Sequence, residues 1–341
     1  MDASSAGREV SREVSSRAIQ VDFSERLTAP VLFVVFNRPE TTREVFESIR
    51  AAKPPRLYIG ADGPRDDHPE DERNVDVVRD YITSQVDWEC EVMTLFQDRN
   101  QGCKAGVSTA ITWFFEHEES GIILEDDCVP DPSFFYFCEQ LLEKYRGNEK
   151  VMHVGGSCLI KNLEVDESYF FSRYSPVWGW ATWRDAWARY SLTTGSFEDE
   201  FAAISRQFDS EEERSYWRKT LSDYFAGRID TWDYPWNYAI WKHGGLSIYP
   251  TRNLVKNIGF GTGSTHTRRW SDYRGLGDAE VRPIHEIVHP RRIAENPQLD
   301  QRAFAGSYRK HSKVVVALKI LRRMAVELFP KKTVRGESDD V

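Results

Sequence analysis

The sequence predicts an α/β fold, in which a Rossmann-like, mostly parallel sheet merges with an irregular second half. Three observations predict it. Short apolar runs alternate with helical patterns in the first part of the chain, polar turn residues follow each run, and the second half is rich in Trp, Tyr and Gly. Strands that alternate with helices favour a parallel sheet covered on both faces. Continuous apolar runs are typical of the buried strands of such a sheet.

Four strands are predicted from apolar runs of strand length. They span residues 30–36, 57–61, 91–96 and 121–124. A helix is predicted after the first strand, because Val45, Phe46 and Ile49 recur at helical spacing. Further helical patterns cover about 71–85, the residues after Gly102, and 132–145.

Composition divides the chain into five predicted segments. In order, they are a disordered tail (1–28), a sheet-forming part of the main domain (29–155), an aromatic part of the same domain (156–270), a loop region (271–305) and a basic amphipathic helix (306–332). The tail mixes charges with Ser and Ala and lacks apolar residues for a core. The helix carries eight Lys or Arg against one Glu between 309 and 332.

Charge and cysteine usage restrict the class of protein. A net charge of −9 disfavours a nucleic-acid partner. Five cysteines without a CxxC pair disfavour both a disulfide framework and a zinc site. The chain contains no apolar run of about 18 residues and its first residues lack a signal-peptide core. We therefore expect a cytoplasmic protein with reduced thiols.

Polar residues follow three of the predicted strands. Asn37 and Arg38 follow the first, Asp62 follows the second, and an acidic triplet, 125–127, follows the fourth. Ligands of open parallel sheets bind at the carboxyl ends of the strands. The sequence therefore predicts one ligand-binding edge that carries these side chains.

The acidic triplet predicts a cation. Side chains alternate along an extended segment, so Glu125 and Asp127 point the same way and Asp126 points away. Paired carboxylates suit a hard cation such as Mg²⁺ or Mn²⁺, and such a cation can bridge two phosphates of a nucleotide diphosphate. The alternative is a solvated acidic turn before the helix 132–145, with Asp131 as its cap.

The stretch 123–130 reads ILEDDCVP and is followed by Phe134 and Phe135, and it resembles the metal-binding motif of GT-A glycosyltransferases. It is especially similar to the Golgi N-acetylglucosaminyltransferases that start N-glycan branching. The span 30–260, about two-thirds of the chain, is also similar to a bacterial family described as hemolytic-protein-like or nucleotide-diphospho-sugar transferases. The shared strings are FNRP (36–39), ADGP (61–64), NQGC (100–103), WGWATW (178–183) and NIGF (257–260).

The resemblance implies roles for six residues. Asp127 would bind the metal directly, Asp126 would lie near the sugar or ribose, and Glu125 would bind the sugar or a water molecule. Asp62 would accept a hydrogen bond from the nucleobase, and its alternative is a turn before Gly63. Arg38, with its neighbour Asn37, would lie near the base or phosphate; the alternative for Arg38 is a salt bridge at the strand end.

Three further positions are candidates for donor and metal binding. Lys104 would reach the phosphates, and Trp180 would stack on a sugar or shape the donor pocket. The alternative for Trp180 is a Trp-rich core strand. His266 would be a second metal ligand or bind the diphosphate, although a lone histidine is more often structural. Glycines at 259, 261 and 263 predict a loop that closes over the donor.

Asp233 is the candidate general base. An inverting transferase needs a carboxylate to take the proton of the acceptor hydroxyl, and Asp233 lies in an aromatic string that is loosely similar to one in the Golgi enzymes. Asp230 remains possible as the base, and a helix cap is the structural alternative for Asp233.

The sequence thus predicts a Mn²⁺- or Mg²⁺-dependent glycosyltransferase of the hexosyltransferase type, active in polysaccharide biosynthesis. Its donor would be a nucleotide diphosphate sugar, with a UDP-sugar favoured, and its acceptor a glycan or lipid-linked glycan. One alternative is a nucleotidyltransferase, disfavoured because Asn37-Arg38-Pro39-Glu40 stands where a Gly-rich phosphate loop is usual. Another is a non-catalytic glycan-binding or lytic protein. The basic helix predicts docking on an anionic inner membrane face, or else packing on the domain.

Overall fold

The computed structural model describes residues 18–21, 26–190, 196–259 and 279–308. Its strands are β1 (Ala18–Gln20), β2 (Val31–Val35), β3 (Arg56–Ala61), β4 (Glu91–Phe96), β5 (Ser120–Glu125), β6 (Cys128–Pro130), β7 (Val151–Gly155), β8 (Tyr169–Ser172), β9 (Trp180–Trp183), β10 (Leu246–Pro250), β11 (Val255–Asn257) and β12 (Glu286–Val288). Its helices are α1 (Pro39–Ala52), α2 (Pro69–Ser84), α3 (Gly102–His117), α4 (Pro132–Lys144), α5 (Arg184–Trp187), α6 (Phe197–Ser205), α7 (Glu211–Phe225), α8 (Asp233–Lys242) and α9 (Pro297–Ser307).

Eight strands form the central sheet, in the order β4-β3-β2-β5-β9-β7-β10-β8. The strands β4, β3, β2 and β5 are mutually parallel. The strand β9 runs antiparallel between β5 and β7 and so joins the two halves in one sheet. The predicted α/β fold class is confirmed, with a Rossmann-like parallel part continued by the irregular half as the GT-A expectation requires.

Both faces of the parallel part are covered. Ile122, Ile123 and Leu124 are consecutive in β5, so they point to alternate faces, and each is 0% exposed. On one face, α3 approaches β3 closely, since a Cβ atom built on Gly60 would lie 2.6 Å from the Cβ of Ala110. Because Gly60 has no side chain, α3 can pack closely against the sheet. The amino-terminal end of α3 then lies beside the carboxyl ends of the strands.

A second apolar cluster lies under the aromatic half. It consists of buried residues from α6, α7, α8 and α9, together with residues of β8, β10 and the adjoining loops, and it includes Trp217, Trp241 and Tyr174. Arg173, directly after β8, is paired with Asp300 of α9 at 3.2 Å, and their side chains are 2% and 0% exposed. The segment that contains α9 is therefore part of the folded domain.

Two expected segment boundaries need correction. Residues 18–20, placed in the disordered tail, form β1, which pairs antiparallel with β12. The loop region 271–305 contains β12 and most of α9. The strands β1 and β12 were not predicted because their pairing joins segments more than 260 residues apart, which local composition does not reveal.

The predicted basic helix, 306–332, lies outside the described residues from 309 onward. Within the described ranges, no helix is both long and apolar enough to cross a bilayer.

Candidate active site

A cleft of about 600 Å³ opens at the carboxyl ends of β2, β3 and β5. It is closed on its other side by residues 229–234, which precede and begin α8. A slightly larger depression of about 690 Å³ lies at the amino-terminal ends of β3 and β4 and contains none of the predicted site residues. The first cleft is therefore the candidate site. Its predicted residues are Arg38, Asp62, Glu125, Asp126, Asp127 and Asp233.

Arg38 binds the acidic triplet directly. Its Nη2 and Nε atoms donate to the two carboxylate oxygens of Asp126, and its Nη1 donates to Oδ2 of Asp127 at 2.9 Å. The side chains of Asp126 and Asp127 are 3% and 17% exposed, against 24% for Arg38. The predicted alternative for Arg38, a salt bridge at the strand end, is what the structure shows.

Burial shapes the acid–base properties of this group. It raises the pKa of Asp126 to about 6, although the positive charge of Arg38 opposes that shift. Burial, together with the charges of Asp127 and Asp126, raises the pKa of Glu125 to about 8. For Arg38, burial lowers the pKa, but the two aspartates outweigh it and the pKa rises. A low-polarity site with excess negative charge results, which favours a cationic partner.

Asp127 is held by residues from the far half of the sequence. The Nδ2 of Asn257, in β11, donates to Oδ1 of Asp127 at 3.3 Å. The β11–β6 pairing brings Asn257 opposite Cys128, and a Cβ atom on Gly259 would overlap the Asp127 carboxylate. Sequence reasoning gave Asn257 no role, although the string that begins there contributed to the family resemblance.

The donor set fits a divalent cation only in part. Within the part of the chain that the structure describes, no three His, Cys, Asp or Glu residues are placed to hold a metal together. Mg²⁺ and similar ions are often bound by one or two carboxylates together with substrate phosphates. Asp127, with Asp126 beside it, fits a cation of that kind. The second predicted ligand, His266, lies outside the described residues.

Asp62 organises the turn before α3. Its Oδ1 accepts hydrogen bonds from the backbone N–H groups of Gly63 and Gln101, both at 2.8 Å, and its Oδ2 accepts from Nδ2 of Asn100 at 2.9 Å. Burial raises its pKa despite these donors. Asp62 therefore lines the cleft as predicted, while its contacts match the structural alternative of a turn-stabilising aspartate.

The two candidate bases differ in their contacts. Asp230 accepts a hydrogen bond from the backbone N–H of Cys103 at 3.1 Å and so caps α3. Asp233 accepts from the Thr231 hydroxyl and from the backbone N–H of Tyr234 at 2.9 Å, and it lines the same cleft as Glu125. The hydrogen bond from Tyr234 lies in the first turn of α8, so it matches the predicted alternative of a helix cap, although the N-cap residue itself is Trp232.

Three predicted donor-binding residues do not line the cleft. Trp180 is 0% exposed and packs between His153 and Trp232, with ring centroids 5.1 and 5.3 Å apart. The core-strand alternative is therefore correct for Trp180. The Asn37 amide donates to Asp71 at 2.6 Å, and the Lys104 ammonium lies 4.5 Å from the centre of the Tyr224 ring. Local partners hold both side chains, which sequence position alone could not show.

Most aromatic residues that line the cleft come from the second half of the chain. These are Trp178, Trp232 and Tyr234, and Phe36 of the first half also lines it. Trp232 is supported from behind by Trp180, whose other face stacks on His153. Burial lowers the pKa of His153 to about 3, so the imidazole in this stack is neutral. Flat aromatic faces with polar edges suit sugar rings.

No protein-family model and no curated protein matches the chain. Among solved structures, it is similar to a mannosyltransferase from Pyrobaculum calidifontis in complex with GDP-Man and Mn²⁺. The identity is 11%, with 92% of this chain and 84% of that chain covered and a TM-score of 0.39. It is also similar to a UDP-glucose pyrophosphorylase complexed with UDP-glucose, at 11% identity, 42% and 62% coverage and a TM-score of 0.25. Likenesses this distant carry no argument about the activity of this chain.

Proposed function

We propose that the protein transfers a hexose from a nucleotide diphosphate sugar to the hydroxyl of a glycan or lipid-linked glycan. One observation carries the proposal. At the carboxyl edge of a parallel sheet, one cleft is lined by the acidic residues Asp127, Glu125 and Asp233 and by the aromatic residues Trp178 and Trp232. The kinds of side chain that cation binding, proton removal and sugar stacking require thus line one space of ligand size.

Each side of the cleft has a distinct task in this reaction. The sheet edge, with Asp62 and the acidic triplet, would hold the nucleotide and its diphosphate. A divalent cation on Asp127 would stabilise the charge of the departing diphosphate. The aromatic side would orient the sugar and the acceptor.

Asp233 would act as the general base. It would take the proton of the acceptor hydroxyl while the hydroxyl oxygen attacks the anomeric carbon. The bond from that carbon to the diphosphate oxygen breaks on the opposite side, so the anomeric centre is inverted and a nucleoside diphosphate leaves. A UDP-sugar is the favoured donor.

We also propose where in the cell the protein meets its acceptor. The acceptor would be met at the cytoplasmic side of a membrane during polysaccharide biosynthesis, with the basic residues of 306–332 bound to anionic lipid. Deletion of 309–341 should then abolish binding to anionic vesicles and leave donor hydrolysis intact. Equal vesicle binding by the full and shortened chains would contradict this part.

A panel of nucleotide sugars with Mn²⁺ tests the reaction. The donor should raise the melting temperature of the protein and be consumed with release of a nucleoside diphosphate. Asp127→Asn should remove the response to Mn²⁺. Release or uptake of pyrophosphate would show a nucleotidyltransferase instead, and the absence of both turnover and nucleotide binding would contradict an enzyme of either kind.

A further inference from the structure

We propose that Arg38 is an internal counter-cation that occupies the metal-binding aspartates until the donor arrives, so that metal and nucleotide diphosphate bind as a pair and not separately. This inference rests on the proposed function and goes beyond it. It assigns Arg38 a positioning role, in which its guanidinium leaves the aspartates for the diphosphate.

The contacts of Arg38 support this exchange. Its side chain donates twice to Asp126 and once to Asp127. Among the described residues, its side-chain hydrogen bonds go to these two carboxylates alone. The Arg38 side chain is 24% exposed and lines the cleft. Its guanidinium is therefore held by charge and hydrogen bonds at a position that a ligand in the cleft can reach.

The oxygens of Asp127 are both engaged before any ligand binds. Oδ2 accepts from Arg38, while Oδ1 accepts from the Asn257 amide at 3.3 Å. A cation that binds Asp127 therefore shares one of these oxygens with a donor. Binding at Oδ2 is the more costly, because a cation there faces the positive charge of Arg38 at hydrogen-bond distance.

A diphosphate removes that cost. Its anionic oxygens match the planar, bidentate guanidinium, so Arg38 can exchange one pair of oxygens for another. The carboxylates released by Arg38 then become available to a cation, which also prefers a site shared between one or two carboxylates and phosphates. Each ligand therefore makes the site better for the other, and this coupling is reciprocal.

Mn²⁺ affinity measured with and without nucleotide tests the inference. Free Mn²⁺ would be followed by its electron paramagnetic resonance signal in titrations of the full chain, with no nucleotide, with UDP and with GDP. The wild type should bind Mn²⁺ weakly alone and about 5- to 150-fold more tightly with a nucleotide that fits, the usual range of coupling between two ligands.

Arg38→Gln should bind Mn²⁺ alone at least tenfold more tightly than the wild type and should lose most of the gain from nucleotide. Arg65→Gln is the matched control, since Arg65 lines the same cleft but is paired with Asp71 at 2.6 Å. Arg38→Lys keeps the charge without the bidentate geometry and should lie between wild type and Arg38→Gln. Arg38→Lys also provides a test of the inference if Arg38→Gln does not fold.

Three results would overturn the inference: unchanged Mn²⁺ affinity in both Arg38 variants, an equal gain in Arg65→Gln, or, with a nucleotide that the wild type does bind, Mn²⁺ binding as tight without that nucleotide as with it. The proposed function fails separately, if the wild type binds neither nucleotide in the presence of Mn²⁺. In that case, tighter binding of Mn²⁺ alone by Arg38→Gln but not by Arg65→Gln would still support the counter-cation role.

Discussion

Two arginine–aspartate clusters, one in the cleft and one in the core, contain the same ion pairs but differ in their exposure to solvent. Arg38 pairs with Asp126 and Asp127 at the sheet edge, where its side chain is 24% exposed. Arg173 pairs with Asp300 beneath α9, where the two side chains are 2% and 0% exposed. A charge at the cleft is within reach of a ligand, whereas one in the core is not. We therefore expect the first cluster to take part in ligand binding, as proposed above, and the second to stabilise the fold.

The largest effect on stability is expected in the core cluster. Arg173→Met should lower the free energy of unfolding by about 3–5 kcal/mol, because Asp300 is left buried without its cation. Chemical denaturation measures this loss. The double variant Arg173→Met/Asp300→Leu should recover much of it, since a buried pair can often be replaced by apolar residues at little cost. A single variant as stable as the wild type would remove the contrast between the clusters.

The next contrast is between two tryptophans of the same string. Trp180→Ala should cost about 3–5 kcal/mol of unfolding free energy, as expected for deletion of a buried large aromatic side chain. Trp178→Ala, at a half-buried position on the cleft, should cost far less and instead raise KM for the sugar donor. Denaturation and steady-state kinetics on both variants separate the two roles. If Trp180→Ala were stable but impaired in donor binding, the original prediction for Trp180 would be restored.

A smaller effect is expected for the cleft cluster, and it should be reversible. Arg38→Gln leaves two carboxylates without their donor and should cost about 1–3 kcal/mol. Millimolar Mn²⁺ should restore much of this loss, since a ligand that binds the folded state stabilises it. The melting temperature of Arg173→Met should not respond to Mn²⁺. An equal response of the two variants would mean that the clusters do not differ as described.

The smallest effect is a pH dependence that arises in the core. Burial raises the pKa of Asp300 to about 6, although the Ser172 hydroxyl and Arg173 oppose the shift. Its folded pKa lies above the unfolded value near 3.9, so the folded state binds more protons between these pH values. Stability from this group is complete below pH 4 and is lost as pH rises through 6.

Asp300→Asn should lack that dependence. Unfolding free energies of wild type and variant, measured from pH 3.5 to 7.5, should therefore give a difference that changes mainly between pH 4 and 6. A difference that does not vary with pH would show that the burial of Asp300 has no such effect.

The sequence predicted the sheet edge better than the partners of its residues. Apolar runs locate β2, β3 and β5, and because parallel strands end at one edge, the polar residues after them had to converge. Asp131 caps α4 as the structural alternative stated, by accepting from the backbone N–H of Ser133 at 2.8 Å.

Sequence position could not predict which partner each side chain binds. Trp180, Asn37 and Lys104 are adjacent to cleft residues in sequence but bind partners elsewhere in the fold. Asn257 reaches Asp127 only because β11 pairs with β6, which sets Asn257 opposite Cys128, 129 residues earlier in the chain. Such contacts depend on tertiary pairing, for which a single sequence carries little local signal.

The proposed role of Asp233, which is to take the acceptor proton in this cleft, is tested most directly by the kinetics of two aspartate variants. Asp233→Asn should lower kcat by about 10²- to 10⁴-fold, the usual contribution of a general base, while the dissociation constant of the donor stays within a few-fold of wild type. Asp230→Asn is the matched control, because its side-chain oxygen can still accept from Cys103, and its kcat should change little. Equal losses in both variants, or full activity in Asp233→Asn, would contradict the account.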